Sequence, residues 1–112
     1  MLIRNTTRNV EFEVLIANNF LSQIRGLMFS KPKDIFFKFN VKQKFNFWMF
    51  GVSYPIDIAF IDETGEVFQI EKAKPMTLHP KTWRIYKAKK PCRYVLETPK
   101  EFISIGDKLS LP

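Results

Sequence analysis

Short runs of alternating apolar and polar residues predict a fold built mainly from β-strands. Val10 to Ile16 alternates apolar with acidic residues and then becomes apolar, which indicates a strand with one wet face. Two apolar runs, 56–61 and 66–70, flank Asp62-Glu63-Thr64-Gly65, so they predict a β-hairpin with a tight turn. Aromatic and β-branched residues predict further strands at 35–39, 45–50 and 94–97. The turn at Gly106-Asp107 predicts a last strand at 108–111.

Helical spacing is rarer along the chain. Phe20, Ile24, Leu27 and Met28 recur at helical intervals, so a short amphipathic helix is expected over about 19–29. Pro99 fits the first turn of a second short helix that runs to about Ser104. With 112 residues, the chain is long enough for one domain, residues 1–112, and too short for two. The expected fold class is mainly β with short helices (α+β), as a compact antiparallel β-barrel-like or sandwich domain.

The positive charge of the chain is concentrated in one segment. The net charge is +7, and residues 72–93 carry eight Lys or Arg and no Asp or Glu. Pro75, Pro80 and Pro91 interrupt this segment, so it is expected to be mostly irregular. It could meet an anionic partner, or it could be a solvated loop that keeps the protein soluble.

The remaining composition limits the kind of protein. Cys92 is the single cysteine, so no intramolecular disulfide can form, and with His79 as the single histidine it predicts no metal site. No glycine-rich phosphate loop is present, so no cofactor is predicted. The longest apolar run, 45–54, falls short of the ~20 residues of a membrane span. The N-terminus carries no signal-peptide pattern, so a cytoplasmic protein is expected, although a mature fragment without its leader would look the same.

Five short motifs, in order, resemble the domain of unknown function 192 family. They are Gly26-Leu27-Met28-Phe29, Phe47-Trp48-Met49, residues 55–62 with Gly65 and Val67, Tyr94-Val95-Leu96-Glu97, and Ile105-Gly106-Asp107. The resemblance covers about Val10 to Leu111. The segment 31–44 departs from the family pattern, since Asp34-Ile35-Phe36-Phe37 stands where Gly-Met-Leu usually precedes a Phe. The resemblance implies a β-barrel-like or sandwich fold with one or two short helices, and it implies no activity.

Asp57 is the most informative polar residue. Its predicted strand is apolar on both faces, so its carboxylate should be buried and must be paired, hydrogen-bonded or protonated. It could pair with Arg25, Arg84 or Arg93 and stabilise the fold, or it could lie in a ligand pocket. The pocket candidates are Asp57, Trp48, Met49, Arg25, Met28 and Glu97, with core packing favoured for Trp48 and Met49. Cys92 is expected to be a small buried residue rather than a nucleophile.

Three functions are compatible with the sequence. The favoured one is a small non-catalytic binding or interaction module. The second is weak, sequence-tolerant nucleic-acid binding, in which basic and aromatic side chains of segment 72–93 contact phosphates and stack on bases: Trp83, Arg84, Tyr86, Lys87, Lys89, Lys90 and Arg93. The third is a hydrolytic or acid–base enzyme that uses Asp57 and Glu97, which requires adjacent strands with both carboxylates on one face.

Overall fold

Nine β-strands make up most of the regular structure in this computed structural model, which describes residues 1–18 and 31–111. The strands are β1 Leu2–Asn5, β2 Val10–Glu13, β3 Leu15–Ala17, β4 Ile35–Gln43, β5 Asn46–Trp48, β6 Ile56–Ile61, β7 Val67–Ala73, β8 Ile85–Lys87 and β9 Cys92–Thr98. A 3-10 turn, Pro80–Thr82, is the sole helical element of these residues. The helix predicted at 19–29 lies outside the described residues.

A five-stranded sheet forms the centre of the molecule, in the order β3-β4-β9-β6-β7. β3 runs parallel to β4, and the other neighbours are antiparallel. All six residues of β6 are buried, because apolar side chains leave this strand on both faces of the sheet. The sheet therefore needs a cover on each side.

Two-stranded ribbons provide these covers. The β1–β2 ribbon packs on one face through Ile3 and Phe12, which join a core that includes Ala59 of β6. The β5–β8 ribbon covers the other face through Phe47 and Tyr86. The ring of Phe47 meets those of Phe37 and Phe60 edge to face, with centroids 5.6 and 5.9 Å apart. The high phenylalanine content thus fills this inner layer, where aromatic pairs contribute beyond their buried area.

The prediction of a mainly β fold is confirmed, with differences in detail. The sheet is mixed rather than wholly antiparallel, and the described strands form three separate sheets rather than one closed barrel. The hairpin is confirmed: Asp62 N–H donates to the Glu66 carbonyl at 2.9 Å, and Gly65 has φ +90°. In the part of the chain that is described, no helix is long and apolar enough to cross a membrane.

Three predicted elements differ from those observed. The strand expected over 10–16 is divided at Val14 between β2 and β3, which belong to different sheets. The helix expected at 99–104 is wrong, since this segment is irregular. Its amides are held by side chains instead: Lys100 N–H donates to Thr98 Oγ1 and Ser104 N–H to Asp107 Oδ2. The strand expected at 108–111 is reduced to isolated bridges from Lys108 and Leu109.

Gly65 and Gly106 offer a matched test of how the chain closes on itself. Both have positive φ, +90° and +93°, but a Cβ on Gly65 would lie 2.2 Å from the Leu109 carbonyl oxygen, whereas one on Gly106 would meet nothing within 4 Å. Alanine should cost ~1–2 kcal/mol at either position through its φ. Gly65→Ala should cost a further ~1–3 kcal/mol because backbone must move. Equal losses in urea unfolding of the two variants would show that Leu109 does not pack against Gly65.

Candidate functional site

The β5–β8 ribbon has one face in the core and one in solvent. Phe47 pairs with Tyr86 across the two strands, and the next pair is Trp48 with Ile85. Because successive side chains point to opposite faces, the first pair enters the core and the second is left outside. Trp48 is 53% exposed and Ile85 is 60% exposed. The ribbon therefore presents an apolar outer surface that the sheet beneath it does not cover.

Hydrogen bonds from two side chains hold this ribbon against the central sheet. Gln69 of β7 is buried, and its amide donates from Nε2 to the Lys87 carbonyl at 2.9 Å while Oε1 accepts from Lys89 N–H at 2.8 Å. Tyr86 reaches through the layer, and its hydroxyl accepts from Lys74 N–H at 3.1 Å. These bonds tie β8 to β7 where the two strands share no backbone ladder.

A loop from Thr77 to Trp83, the tip loop, lies beside the ribbon and is bonded to itself. The hydroxyl of Thr82 accepts from Thr77 N–H at 2.8 Å and donates to the His79 carbonyl at 2.7 Å. His79 Nδ1 accepts from Lys81 N–H at 3.2 Å and caps the 3-10 turn. Because its polar groups bond within the loop, the tip loop holds its shape without a partner.

The tip loop and the ribbon enclose an apolar cleft of about 540 Å³. We call this the aromatic cleft; its lining is Trp48, Phe50, Gly51, Met76, Thr77, Leu78, Trp83, Arg84 and Ile85. The ring of Phe50 stacks on that of Trp48, with centroids 5.2 Å apart. Trp83 is 58% exposed, and its indole N–H donates to the Thr77 carbonyl at 2.7 Å. With that donor satisfied, the exposed ring offers an apolar face.

Positive charge surrounds this apolar surface. Arg84 lines the cleft, Lys81 lies on the tip loop, and Lys87 shares the outer face of β8 with Ile85. The sequence contains no Asp or Glu from residue 72 to residue 96. Across residues 1–18 and 31–111, no carboxylate lies within ion-pair distance of Lys74, Lys81, Arg84, Lys87 or Lys89. The cleft thus combines exposed rings with uncompensated cations.

The residues predicted to form one pocket do not form a single site. The predicted core packing is confirmed for Met49, which is buried beneath the ribbon, but it is wrong for Trp48, which is 53% exposed and lines the aromatic cleft. Asp57 is buried on the opposite side of the sheet, where Lys72 Nζ lies 3.3 Å from its Oδ1. The predicted burial and pairing of Asp57 are confirmed, but the partner is Lys72 rather than Arg84 or Arg93. Arg25 and Met28 lie outside the described residues.

The proposed pairing of Asp57 with Glu97 for acid–base chemistry is wrong for a geometric reason. β6 and β9 are adjacent, but Asp57 is opposite Thr98 and Ile58 is opposite Glu97. Consecutive positions point to opposite faces, so a packed sheet separates the two carboxylates. Glu97 is 5% exposed, and burial raises the pKa of its carboxyl from 4.5 to about 8. Burial, and then the charge of Glu97, raise the pKa of the Tyr54 hydroxyl.

The residues predicted to contact nucleic acid divide into two groups. Trp83, Arg84, Lys87, Lys89 and Lys90 are exposed, and the first two line the cleft. Tyr86 is buried, so its ring cannot stack on a base, and this part of the prediction is wrong. Lys90 Nζ lies 4.4 Å from the centroid of the Phe68 ring, and Arg93 Nε donates to the Phe39 carbonyl at 3.2 Å.

Cys92 lies in the core, as the sequence predicted. It is 1% exposed, and burial raises the pKa of its thiol to about 11, against the lowering effects of a Tyr94 hydrogen bond and Lys90. A thiol with this pKa is protonated at neutral pH and is a poor nucleophile. Over the ranges 1–18 and 31–111, no three His, Cys, Asp or Glu side chains come together as metal ligands.

The fold and the cleft define a β-rich domain with an exposed apolar cleft. The DUF192 family model, described as "Uncharacterized ACR", matches residues 2–111, and the chain belongs to this family. The UPF0127 protein of Pyrococcus horikoshii is 34% identical over 118 residues, covering 96% of each chain. The UPF0127 protein of Pyrococcus furiosus is 30% identical over 110 residues, covering 91% of this chain and 89% of the relative.

Two crystal structures share this fold. One, from Sinorhizobium meliloti, is described as a "putative transcription regulator"; its TM-score is 0.79 at 25% identity, covering 97% of this chain and 89% of the other. The other is a protein of unknown function from Novosphingobium aromaticivorans, with a TM-score of 0.80 at 24% identity, covering 98% and 82%. The second likeness concerns the fold alone.

Sequence reasoning missed four residues that matter for the cleft: Phe50, Gln69, Leu78 and Ile85. A signal existed for Leu78, because an aliphatic residue between Thr77 and the His79-Pro80 pair has no helical or strand periodicity to bury it. No local signal marks Gln69, since a glutamine in an amphipathic strand normally faces water. Its partners are about twenty residues away in the chain.

Glu97 makes the stability of the protein depend on pH. Its carboxyl has a pKa of about 8 in the folded state against 4.5 in the unfolded chain, so the folded state holds the proton more tightly. The stabilisation that this carboxyl gives the folded state is therefore complete below pH 4.5, and it is lost as the pH rises to about 8.

Glu97→Gln should remove this dependence, because the amide is neutral throughout. Between pH 5 and pH 8 the stability of the variant relative to the parent should rise by more than about 1 kcal/mol in urea unfolding. Glu101→Gln, which removes a carboxylate at the surface, is the control and should show no such trend. A constant difference between Glu97→Gln and the parent across this pH range would refute the assignment.

Proposed function

We propose that this protein is a non-catalytic binding domain whose ligand site is the aromatic cleft. The ligand or partner carries an apolar or flat group together with negative charge. The observation that carries the proposal is that two exposed tryptophans, Trp48 and Trp83, line the same cleft of about 540 Å³. Clefts of ~300–1,000 Å³ with predominantly apolar linings are typical of ligand sites.

The exposure of this surface has a thermodynamic cost that supports a binding role. Each large side chain left in water forgoes about 1.5–3 kcal/mol that its burial would contribute. Five such residues meet here, and a contiguous exposed apolar patch on a soluble protein usually marks an interaction site. They are Trp48, Phe50, Leu78, Trp83 and Ile85. The prediction of a binding module is thus kept, with the site moved from Asp57 to the aromatic cleft.

The charges around the cleft support an anionic ligand. Arg84 is part of the lining, Lys81 lies on the tip loop, and Lys87 lies on β8. A cationic ligand would meet repulsion, since residues 72–96 hold no carboxylate to attract it. The apolar lining would hold the uncharged part of the ligand, while the cations would select its charge.

Single-stranded nucleic acid is the second candidate. Trp83 and Arg84 lie together in the cleft and could stack on a base and contact its phosphate. Six of the eight Lys and Arg residues of segment 72–93 are exposed and have no carboxylate within ion-pair distance among the described residues, so positive charge is available to contact phosphates. The description of the Sinorhizobium structure as a transcription regulator is compatible with this candidate.

Fluorescence can test the cleft directly, because Trp48 and Trp83 are the only tryptophans in the sequence. The probe is 1-anilinonaphthalene-8-sulfonate, an aromatic anion that accepts energy from tryptophan. Its titration should saturate, with energy transfer from the protein. Trp48→Ala should weaken binding about fivefold, since an aromatic contact contributes roughly 0.5–1.5 kcal/mol. Ile105→Ala, which removes a 66% exposed side chain outside the cleft, should have no effect. Equal affinity of all three proteins would contradict the proposed site.

The same titration with oligothymidylate decides the second candidate. If nucleic acid binds, raising the salt concentration should weaken binding steeply, with a slope of log K against log salt of about −3 to −4 for four to five phosphate contacts. Trp83→Ala should then weaken binding by ~1–3 kcal/mol per stacked base. No change in tryptophan fluorescence at low salt removes this candidate and leaves the aromatic cleft to other anions.

A further inference from the structure

We propose that the aromatic cleft and the tip loop dock on a membrane surface that contains anionic lipids. The inference rests on the proposed function of the cleft and names the partner that would occupy it. The decisive feature is Leu78, which lies in the tip loop and is 97% exposed. The side chain touches almost nothing in the protein, so it contributes little to the stability of the fold.

An aliphatic side chain held in this position suits a hydrocarbon phase. The tip loop is fixed by its own hydrogen bonds, in which Thr82 Oγ1 and His79 Nδ1 accept and the Trp83 indole donates. Little loop entropy is therefore lost when the loop inserts. Trp48 and Trp83 line the same cleft as Leu78. Tryptophan is enriched at the boundary between headgroups and acyl chains.

Charge complementarity points to anionic rather than neutral lipid. Lys81, Arg84 and Lys87 carry the charge next to the apolar surface, and no acidic residue occurs in the sequence from 72 to 96. Each Lys or Arg near an anionic leaflet strengthens binding about fivefold, while the apolar side chains add affinity that salt does not screen. An apolar surface beside a basic one is the arrangement of proteins that bind at the membrane interface.

The alternatives leave Leu78 unexplained. A nucleic-acid base stacks on an aromatic ring, and its phosphate binds Arg84, but neither gives an aliphatic side chain an apolar environment. Leu78 borders the cleft but is 97% exposed, so a small ligand bound in the cleft would cover only part of this side chain. The acyl chains of a membrane can contact Leu78 and the two tryptophans of the cleft together.

The test uses the full chain and vesicles of phosphatidylcholine mixed with phosphatidylglycerol. Sedimentation should show binding to the mixed vesicles and weak binding to phosphatidylcholine alone. In mixed vesicles whose acyl chains are brominated, the fluorescence of Trp48 and Trp83 should fall, because bromine quenches only tryptophans that reach the acyl region. High salt should weaken the binding without abolishing it.

Two variants and their matched controls locate the contact. Leu78→Ser should weaken vesicle binding about tenfold or more, whereas Ile105→Ser, at an exposed position outside the cleft, should not. Lys81→Gln should weaken it about fivefold, whereas Lys42→Gln, which removes a cation paired with Glu63, should leave it near the parent value. Circular dichroism confirms that each variant is folded.

Several outcomes would overturn the inference. Binding of anilinonaphthalene sulfonate without binding to mixed vesicles would leave the proposed function intact and remove the membrane as partner. Equal binding to neutral vesicles, no quenching by bromine, or equal losses in Leu78→Ser and Ile105→Ser would contradict the docking geometry. Tryptophan-dependent binding of oligothymidylate without vesicle binding would assign the cleft to nucleic acid. Failure of all three probes would overturn both proposals.

Discussion

The buried amide of Gln69 is the interaction on which the candidate site depends. It donates to the Lys87 carbonyl at 2.9 Å and accepts from Lys89 N–H at 2.8 Å. These two bonds join β8 to β7 in place of backbone–backbone hydrogen bonds. Without this amide, two backbone groups would lose their partner, at a cost of ~1–3 kcal/mol each where they are buried. Because β8 pairs with β5, Gln69 helps to position the whole ribbon that carries Trp48 and Ile85, together with the bond between the Tyr86 hydroxyl and Lys74 N–H.

One face of the β5–β8 ribbon packs in the core, and the opposite face lines the cleft. Phe47 and Tyr86 point inward and fill the layer between ribbon and sheet, so Trp48 and Ile85 must point outward. An outward polar pair would have satisfied the same strand pattern at lower cost in water. The cross-strand contact of Trp48 with Ile85 stabilises the ribbon by roughly 0.2–1 kcal/mol, less than full burial of the two side chains would contribute. The place of this pair beside the tip loop and its cations is the basis for the proposed binding role.

Local chemistry made the hairpin, the central strands and the burial of Asp57 and Cys92 predictable from sequence. The residues of the turn Asp62–Gly65 define the hairpin, and the apolar neighbours of Asp57 on both faces of β6 indicate its burial. The site was not predictable in this way, because it depends on register and on distant partners. A shift of one residue between β6 and β9 decides whether Asp57 and Glu97 share a face, and no local pattern encodes it. Similarly, only the pairing of Trp48 with Ile85 reveals that both side chains are outside.

Hydrogen exchange in a Gln69→Leu variant tests most directly whether this side chain holds the ribbon and hence the cleft. Leucine keeps the size of the side chain and removes both hydrogen bonds. We expect faster exchange in β5 and β8, residues 46–48 and 85–87, with the amides shared by β6 and β9 still protected; Gln43→Leu, at an exposed position, is the control. Unchanged protection of the ribbon, or an equal loss over the whole sheet, would contradict the account.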